Sequence, residues 1–316
     1  MKKIHIKKIS EINKEKLLEF YKKSFQFERG VIENFNWRYR LGFNNYEPIV
    51  LIIDDQICGH AGLIPTDIKI DNIIHNAIWF TDFFINTNYR SKGYGKLLTE
   101  EWMKICPIQI TLCNEESLRI FKKFNWLNNK KFIRKVKFNN YLNVLPKFKN
   151  INFSNNFKNV DNLQYLELNN STITKIIELN DHNQIQQSSG ILRDENWFKW
   201  RLIDCPYKKD IHILKIKNQF LVVHLRFKKK LKILNIIYST CDVTPEITSI
   251  LQKFLKKNKI DLIAFISKKK RLIDTLIPGQ KNLNFAFYSK DKKILDNLNK
   301  DFNDIQYIDS DLDYIV

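Results

Sequence analysis

The chain has 316 residues, of which 44% are hydrophobic, so it is long enough for more than one folded domain and can bury a sizeable core. The net charge is +19, while only eight glycines and seven prolines occur, which excludes collagen-like and low-complexity chains. Five scattered cysteines without CxxC spacing and six histidines without HExxH predict neither a disulfide framework nor a zinc site. Because there is no apolar leader and no stretch long enough to span a bilayer, we expect a cytoplasmic protein without a metal.

The first half of the chain alternates between predicted helices and strands. Apolar residues at helical spacing predict a helix over residues 11–24. Residues 49–53 and 57–64 predict a hairpin around a polar turn. The elements that follow are a strand over 77–86, a helix over 96–105, a strand over 108–113 and a helix over 115–124 with Asn114 as its N-cap. This order predicts a mixed α/β fold.

An internal repeat is visible when the chain is compared with itself. The pair Trp37-Arg38 recurs as Trp200-Arg201, at a displacement of 163 residues. At the same displacement the apolar run 49–53 falls on residues 212–216, and the polar turn and second strand also recur. We therefore predict two similar domains, 1–142 and 143–316, joined within the stretch 140–160.

A glycine-containing turn over residues 90–95, Arg-Ser-Lys-Gly-Tyr-Gly, stands between a predicted strand and a predicted helix. Backbone N–H groups in such a turn can converge on a phosphate, and the helix N-terminus adds partial positive charge. The turn is neither the dinucleotide fingerprint nor a Walker A loop, because its spacing differs from both. An ordinary strand-to-helix turn without a ligand is the alternative at this point.

Four segments in the right order resemble the GNAT superfamily of acyl-CoA N-acyltransferases over residues 35–130. The turn itself, Arg90-x-x-Gly93-x-Gly95, resembles the family's pyrophosphate loop, and residues 81–90 resemble the strand that leads into it. Residues 114–126 resemble the family's fifth strand-to-helix segment, and residues 55–59 its early hairpin. The second half looks like a degenerate GNAT-like copy, because residues 238–255 contain no glycine.

The resemblance implies two GNAT-like domains, each with a twisted mixed sheet flanked by helices, and a single acyl-CoA site in the first. Acetyl-CoA would be the acyl donor and a primary amine the acceptor. The backbone near Ile85 would polarise the thioester and the loop would hold the pyrophosphate. The residues implied to contact the cofactor are Phe84, Ile85, Arg90, Ser91, Lys92, Gly93, Tyr94, Gly95, Lys96, Asn114, Ser117 and Phe121.

Two residues are candidates for the base that deprotonates the acceptor amine. Asp82 is the first, because strand alternation directs its side chain opposite to Phe83 and Ile85, on a strand implied to line the acceptor side. Its apolar neighbours Phe80, Phe83 and Phe84 would raise the pKa of a carboxylate. Its alternatives are a pair with a buried arginine and a contact to the substrate ammonium. His60 is the second candidate, although a lone histidine between strands is more often a core residue.

Two further features stay open. Phe121 stands where the family often has a tyrosine that protonates the leaving thiolate, so this acid would be missing. The Trp37-Arg38 pair could bind an anionic acceptor, or it could be a core tryptophan beside an arginine–carboxylate pair. The alternating Asp309, Asp311 and Asp313 resemble an acidic tail more than a cation site.

The acceptor that we expect is a small amine in a cleft between or beside the two halves, such as an amino sugar or nucleotide-linked amino sugar of surface polysaccharide synthesis. A non-catalytic CoA-binding protein is the alternative. The high positive charge keeps nucleic acid as a third possibility, although no nucleic-acid-binding motif is evident. Most of that charge has a simpler interpretation as background composition, rich in lysine, asparagine and isoleucine.

Overall fold

The computed structural model describes residues 3–25, 34–139, 157–185, 189–228, 231–268, 280–302 and 304–309. Most of the predicted linker, residues 140–156, lies outside them. The strands are Ile4–Lys8 (β1), Ile49–Ile53 (β2), Gln56–Ile70 (β3), Ile73–Ile85 (β4), Ile108–Cys113 (β5), Leu127–Phe138 (β6), Gln164–Leu166 (β7), Gly190–Ile191 (β8), Ile211–Ile216 (β9), Gln219–Lys228 (β10), Leu231–Ser239 (β11), Leu262–Lys268 (β12) and Gln280–Ser289 (β13). The α-helices are Lys14–Ser24 (α1), Phe35–Arg38 (α2), Tyr94–Trp102 (α3), Glu115–Lys122 (α4), Asn170–Ile185 (α5), Glu195–Phe198 (α6), Pro245–Lys257 (α7) and Lys292–Lys300 (α8).

The mixed α/β prediction is confirmed, and most element boundaries fall within a few residues of those expected. β2 and β5 have the predicted ends, and the hairpin recurs in the second half as β9 and β10. Asn114 caps α4, because its side-chain oxygen accepts a hydrogen bond from the Ser117 N–H at 2.8 Å. The helix predicted over 96–105 begins two residues earlier, at Tyr94.

One sheet runs through both halves of the chain. Its order is β1-β2-β3-β4-β5-β13-β6-β12-β11-β10-β9-β7, with β8 paired to β3. β13, from the end of the chain, lies between β5 and β6, and β6 pairs on its other side with β12. Each half therefore places one strand in the sheet of the other, an exchange that the sequence did not predict.

The strand pairings have the same directions when the sheet is followed from either end, a pattern that is compatible with the predicted repeat. β4 corresponds to β11 and β5 to β12, and both pairs are parallel. Because three antiparallel pairings separate β5 from β12, β4 and β11 run in opposite directions.

Trp37 and Trp200, the tryptophans of the recurring Trp-Arg pair, contact each other. Trp37 Nε1 donates to the Trp200 carbonyl, and Trp200 Nε1 donates to the Trp37 carbonyl, both at 2.7 Å. Arg201 stacks on both rings, with its guanidinium carbon 5.4 Å from the Trp37 ring centroid and 4.9 Å from that of Trp200. These reciprocal hydrogen bonds connect the first half of the chain to the second. In the part of the chain that the structure describes, no helix is long and apolar enough to cross a membrane.

Candidate acyl-CoA site

The two parallel strands β4 and β5 separate before they end. Their pairing is confined to Ile78 with Gln109 and Trp79 with Ile110. The Thr111 hydroxyl then donates to the Phe80 carbonyl at 2.8 Å, while β4 stays paired to β3 as far as Ile85. Beyond Trp79, the main chain of β4 therefore no longer pairs with that of β5. This gap offers main-chain groups to a ligand.

A helix begins at the mouth of this gap. Gly93 is the N-cap of α3 and has a φ of 82°, a left-handed conformation that glycine adopts without strain. Ser91, two residues earlier, also has a positive φ, of 59°. The first N–H groups of a helix have no partner within it, so the start of α3 presents donors and partial positive charge. The turn thus has the features of an anion site.

The basic side chains of the turn contact the protein itself. Arg90 Nε donates to the Ile85 carbonyl at 2.9 Å, and Lys92 Nζ donates to the Asn88 carbonyl at 2.7 Å. Lys96 lies 3.7 Å from Glu100 and is 71% exposed. The positive charge therefore stands at the rim, and the backbone forms the turn's centre.

The far side of the gap is formed by the residues after β5. Asn114 uses its side-chain oxygen for the cap of α4, so its side-chain NH2 group and its main chain are the groups that could meet a ligand. Phe121 is buried, stacked on Trp126 with ring centroids 4.6 Å apart. Phe121 is therefore part of the apolar core behind the gap.

Asp82 lies at a bulge in β4. His60 pairs with Phe84 and Gly62 with Thr81, so β4 contains one extra residue here, and Asp82 has a φ of 46°. The bulge breaks the strand alternation on which the predicted direction of its side chain rested.

The setting of Asp82 differs from the apolar one expected. Arg38 donates to its carboxylate through Nε at 2.8 Å and Nη2 at 3.1 Å, and the Tyr39 hydroxyl donates at 2.9 Å. Burial by itself would raise the pKa of this carboxyl, but Arg38 and these hydrogen bonds outweigh burial and hold the pKa below its usual range. The expected raised pKa is therefore wrong, and the pair with a buried arginine is what the structure shows.

His60 is completely buried beside this pair. Its Nδ1 lies 2.8 Å from the Asp82 carbonyl, which can only accept, so Nδ1 carries the proton and Nε2 accepts from the Tyr21 hydroxyl at 2.9 Å. Burial lowers the pKa of His60 to about 4, so the ring is neutral at pH 7. Tyr21 and Tyr39 were missed by the sequence reasoning, and only the position of Tyr39 next to Arg38 could have indicated a role.

A cavity of about 600 Å³ lies beside α1 and reaches both halves of the chain. Its walls include Tyr21 and Trp37 from the first half and Pro206 from the second. Arg38 is not among the lining residues, because it points to Asp82. Of the two residues predicted to contact the acceptor, Trp37 lies at a cavity and Arg38 does not.

No group of three or more histidine, cysteine or acidic residues suited to a metal occurs among the described residues. Asp309 forms an ion pair with Arg193, whereas Asp311 and Asp313 lie outside the described residues. None of the five cysteines, all of which lie among the described residues, forms a disulfide.

Comparison with known proteins agrees with this geometry. Residues 11–126 match the Acetyltransferase (GNAT) family. No curated protein sequence matches the chain significantly. Among solved structures, a GCN5-related N-acetyltransferase from Kribbella flavida is similar over 91% of this chain and 72% of its own, with a TM-score of 0.60 and 11% identity.

A second similar structure is N-myristoyltransferase from Saccharomyces cerevisiae with bound myristoyl-CoA. It covers 90% of this chain and 82% of its own, with a TM-score of 0.57 and 13% identity. A GCN5-related N-acetyltransferase from Anabaena variabilis gives a TM-score of 0.59 at 13% identity, with 90% and 72% covered. The chain has the GNAT fold, and the match of residues 11–126 supports an acyl-CoA-dependent N-acyltransferase.

Proposed function

We propose that the chain transfers an acetyl group from acetyl-CoA to the primary amine of a small acceptor. The observation that carries the proposal is the gap between β4 and β5, which leads directly to the glycine-containing start of α3. The main chain of Phe84 and Ile85 would bind the acyl-bearing end of the donor. Residues 90–96 would hold its pyrophosphate, and the main chain around Asn114 and Ser117 would flank the pantetheine arm.

The proposed acceptor site is the cavity beside α1. Ser10, Asn34 and Asn36 supply hydroxyl and amide groups there, and Trp37 supplies an aromatic wall. Lys14 is the one charged side chain among its described lining residues. This combination favours an acceptor with hydroxyl groups and negative charge, such as an amino sugar linked to a phosphate or nucleotide.

We assign Asp82 and His60 to positioning within this reaction. Through Arg38, Tyr39 and Tyr21 they hold the bulged part of β4 next to the gap. A carboxylate with a lowered pKa is a weak base, and the Nε2 lone pair of His60 is occupied by Tyr21. The acceptor amine would therefore lose its proton to water, and the thiolate would leave without help from Phe121.

The pH dependence of turnover tests this assignment. Asp82 stays ionised and His60 stays neutral above pH 6, so neither contributes a rising limb near neutrality. We expect kcat/KM to rise with pH up to the pKa of the acceptor ammonium, and to shift when an amine of different pKa is used. The measurement is thiol release between pH 5.5 and 9.5. If the rising limb of kcat/KM does not shift with the pKa of the acceptor, a base on the protein takes up the proton.

A charge placed at Gly93 tests the anion site. A Cβ there has no neighbour within 4 Å, and both aspartate and asparagine tolerate a positive φ, so Gly93→Asp and Gly93→Asn should fold alike. Repulsion between a carboxylate and the pyrophosphate should weaken acetyl-CoA binding by about tenfold more in the aspartate variant. Calorimetric titration measures both affinities, and the difference should shrink in high salt. Equal affinities in the two variants would place the pyrophosphate elsewhere.

A non-catalytic CoA-binding role is the second candidate, and the phenylalanine at position 121 favours it. Thiol release on addition of amino sugars separates the two, since a binding protein releases none. We place the protein in the reducing cytoplasm, with which five cysteines outside any disulfide are consistent.

A further inference from the structure

The second half of the sheet contains a gap like the one between β4 and β5. β11 and β12 are paired only from Ile233 with Leu262 to Asn235 with Ala264. β11 also contains an extra residue, Ile237, because Val222 pairs with Tyr238 and Val223 with Ile236. The second copy thus keeps both the early separation of the strands and the bulge.

A cavity of about 350 Å³ occupies this second gap. Ile236, Tyr238 and Ser239 line it from β11, and residues 266–268 line it from β12. Its size is at the lower end for ligand sites, and corresponds to a monosaccharide or an amino acid. Because β4 and β11 run in opposite directions, one gap opens at one end of the strands and the other gap at the opposite end. The second cavity is therefore separate from the proposed transfer site.

The walls of the cavity are fixed by hydrogen bonds within the protein. Gln306 accepts from the Ser239 N–H at 2.6 Å and donates to the Ser239 carbonyl at 3.1 Å. Asn183 donates to the Thr240 carbonyl at 2.8 Å. These bonds hold residues 304–309 and α5 against the end of β11. The cavity is therefore already formed without a ligand.

The chemistry for phosphate is absent here. Residues 240–244, between β11 and α7, contain no glycine, and α7 starts with Pro245, which has no N–H. The Thr244 hydroxyl caps the helix by accepting from the Ile247 N–H at 3.3 Å. A second acyl-CoA therefore does not fit this gap.

The described residues around the cavity carry more negative than positive side chains. Arg193 is 1% exposed and binds two carboxylates, Asp304 through Nη1 and Asp309 through Nε and Nη2. Among the described residues, this cluster therefore contains one more carboxylate than guanidinium groups. Asp309 is buried, whereas the Asp304 side chain is 21% exposed and lines the cavity. Asp242 adds another carboxylate to the described lining residues, among which Lys268 is the one cation.

We propose that this cavity binds a small hydroxylated primary amine, with its ammonium group at Asp304 and Asp242. The ammonium balances the excess negative charge of the Arg193 cluster. Hydroxyl groups of the ligand meet the polar wall formed by Asn183, Ser267 and Gln306. The site does not depend on acyl transfer in the first half.

Glucosamine is the probe for this site, and N-acetylglucosamine, which lacks the charge, is its matched control. We expect the full chain to bind glucosamine at least about tenfold more tightly, since one charged hydrogen bond accounts for that factor. Asp304→Asn should remove this preference, whereas Asp301→Asn, three residues away on an exposed position, should keep it. Asp309 still binds Arg193 through two nitrogens in the Asp304 variant, which preserves the fold.

Asp242→Asn is the second variant, since it leaves the Arg193 cluster intact. It should also weaken glucosamine binding, with acetyl-CoA affinity unchanged in every variant. Equal binding of the two sugars by the unmodified chain would overturn the proposal. A preference for glucosamine that survives both Asp304→Asn and Asp242→Asn would also overturn it, because the amine would then bind at another place.

Discussion

Residues 1–142 produced without the rest of the chain are expected not to fold cooperatively. β6 pairs only with β12 and β13 among the described strands, and both of these come from residues 143–316. β5 would keep two residue pairs with β4 and lose its long pairing with β13. Ile110, Phe132 and Ile133, which are buried in the whole chain, would then lie at open strand edges.

Thermal unfolding followed by circular dichroism measures this effect. The fragment should show no sharp transition and should aggregate, whereas the full chain unfolds in one step. Co-expression of 1–142 with 143–316 as two polypeptides is the control, because it restores both exchanged strands. A fragment that alone unfolds cooperatively and binds acetyl-CoA would show that the first half is an independent domain.

The strand exchange also shows what the sequence could not reveal. β13 has the local pattern of any strand, and nothing in it indicates that it lies between β5 and β6, more than 140 residues earlier. Pairing between distant segments depends on the whole fold. By contrast, β2, β5 and the Asn114 cap were predicted correctly, because apolar runs and caps are local signals.

In the candidate site, too, local features could be predicted from the sequence, whereas contacts between distant residues could not. The Gly93 turn was recognised because a positive φ before a helix requires particular residues at fixed spacing. Asp82 was assigned from strand alternation and apolar neighbours, and both arguments failed at the bulge. Its partner Arg38 is 44 residues away. The recurring Trp-Arg pair drew attention to Trp37 and Trp200, but their mutual hydrogen bonds depend on how the two halves of the chain meet in the whole fold.

Replacing Arg38 with methionine is expected to lower the free energy of unfolding at pH 7 by about 3–5 kcal/mol. The Arg38 side chain is 4% exposed and that of Asp82 is 0% exposed, so the variant leaves a buried carboxylate without its cation. Arg40→Met is the matched control. Arg40 is also buried, and its guanidinium carbon lies 3.4 Å from the Phe43 ring centroid and 4.8 Å from that of Trp200. Asp194 and Asp67 act on it as nearby charges, but no carboxylate among the described residues forms an ion pair with it, unlike Asp82 with Arg38. The control should therefore cost much less.

The pH dependence of this loss separates electrostatics from packing. In the unmodified chain the lowered pKa of Asp82 contributes stability at every pH above the unfolded value of about 3.9, and this contribution is lost only as pH falls below that value. In Arg38→Met the Tyr39 hydroxyl still donates to Asp82, but Arg38 no longer offsets burial, so the pKa of Asp82 rises. The carboxyl then takes up a proton more readily as pH falls from 7, and the destabilisation decreases. Asp82→Asn, which tolerates the φ of 46°, should rescue part of the loss when added to Arg38→Met. Urea unfolding at pH 5 and pH 7 measures both effects. If the loss of unfolding free energy is the same at both pH values and Asp82→Asn does not rescue it, Arg38 stabilises the fold by packing and its charge contributes little.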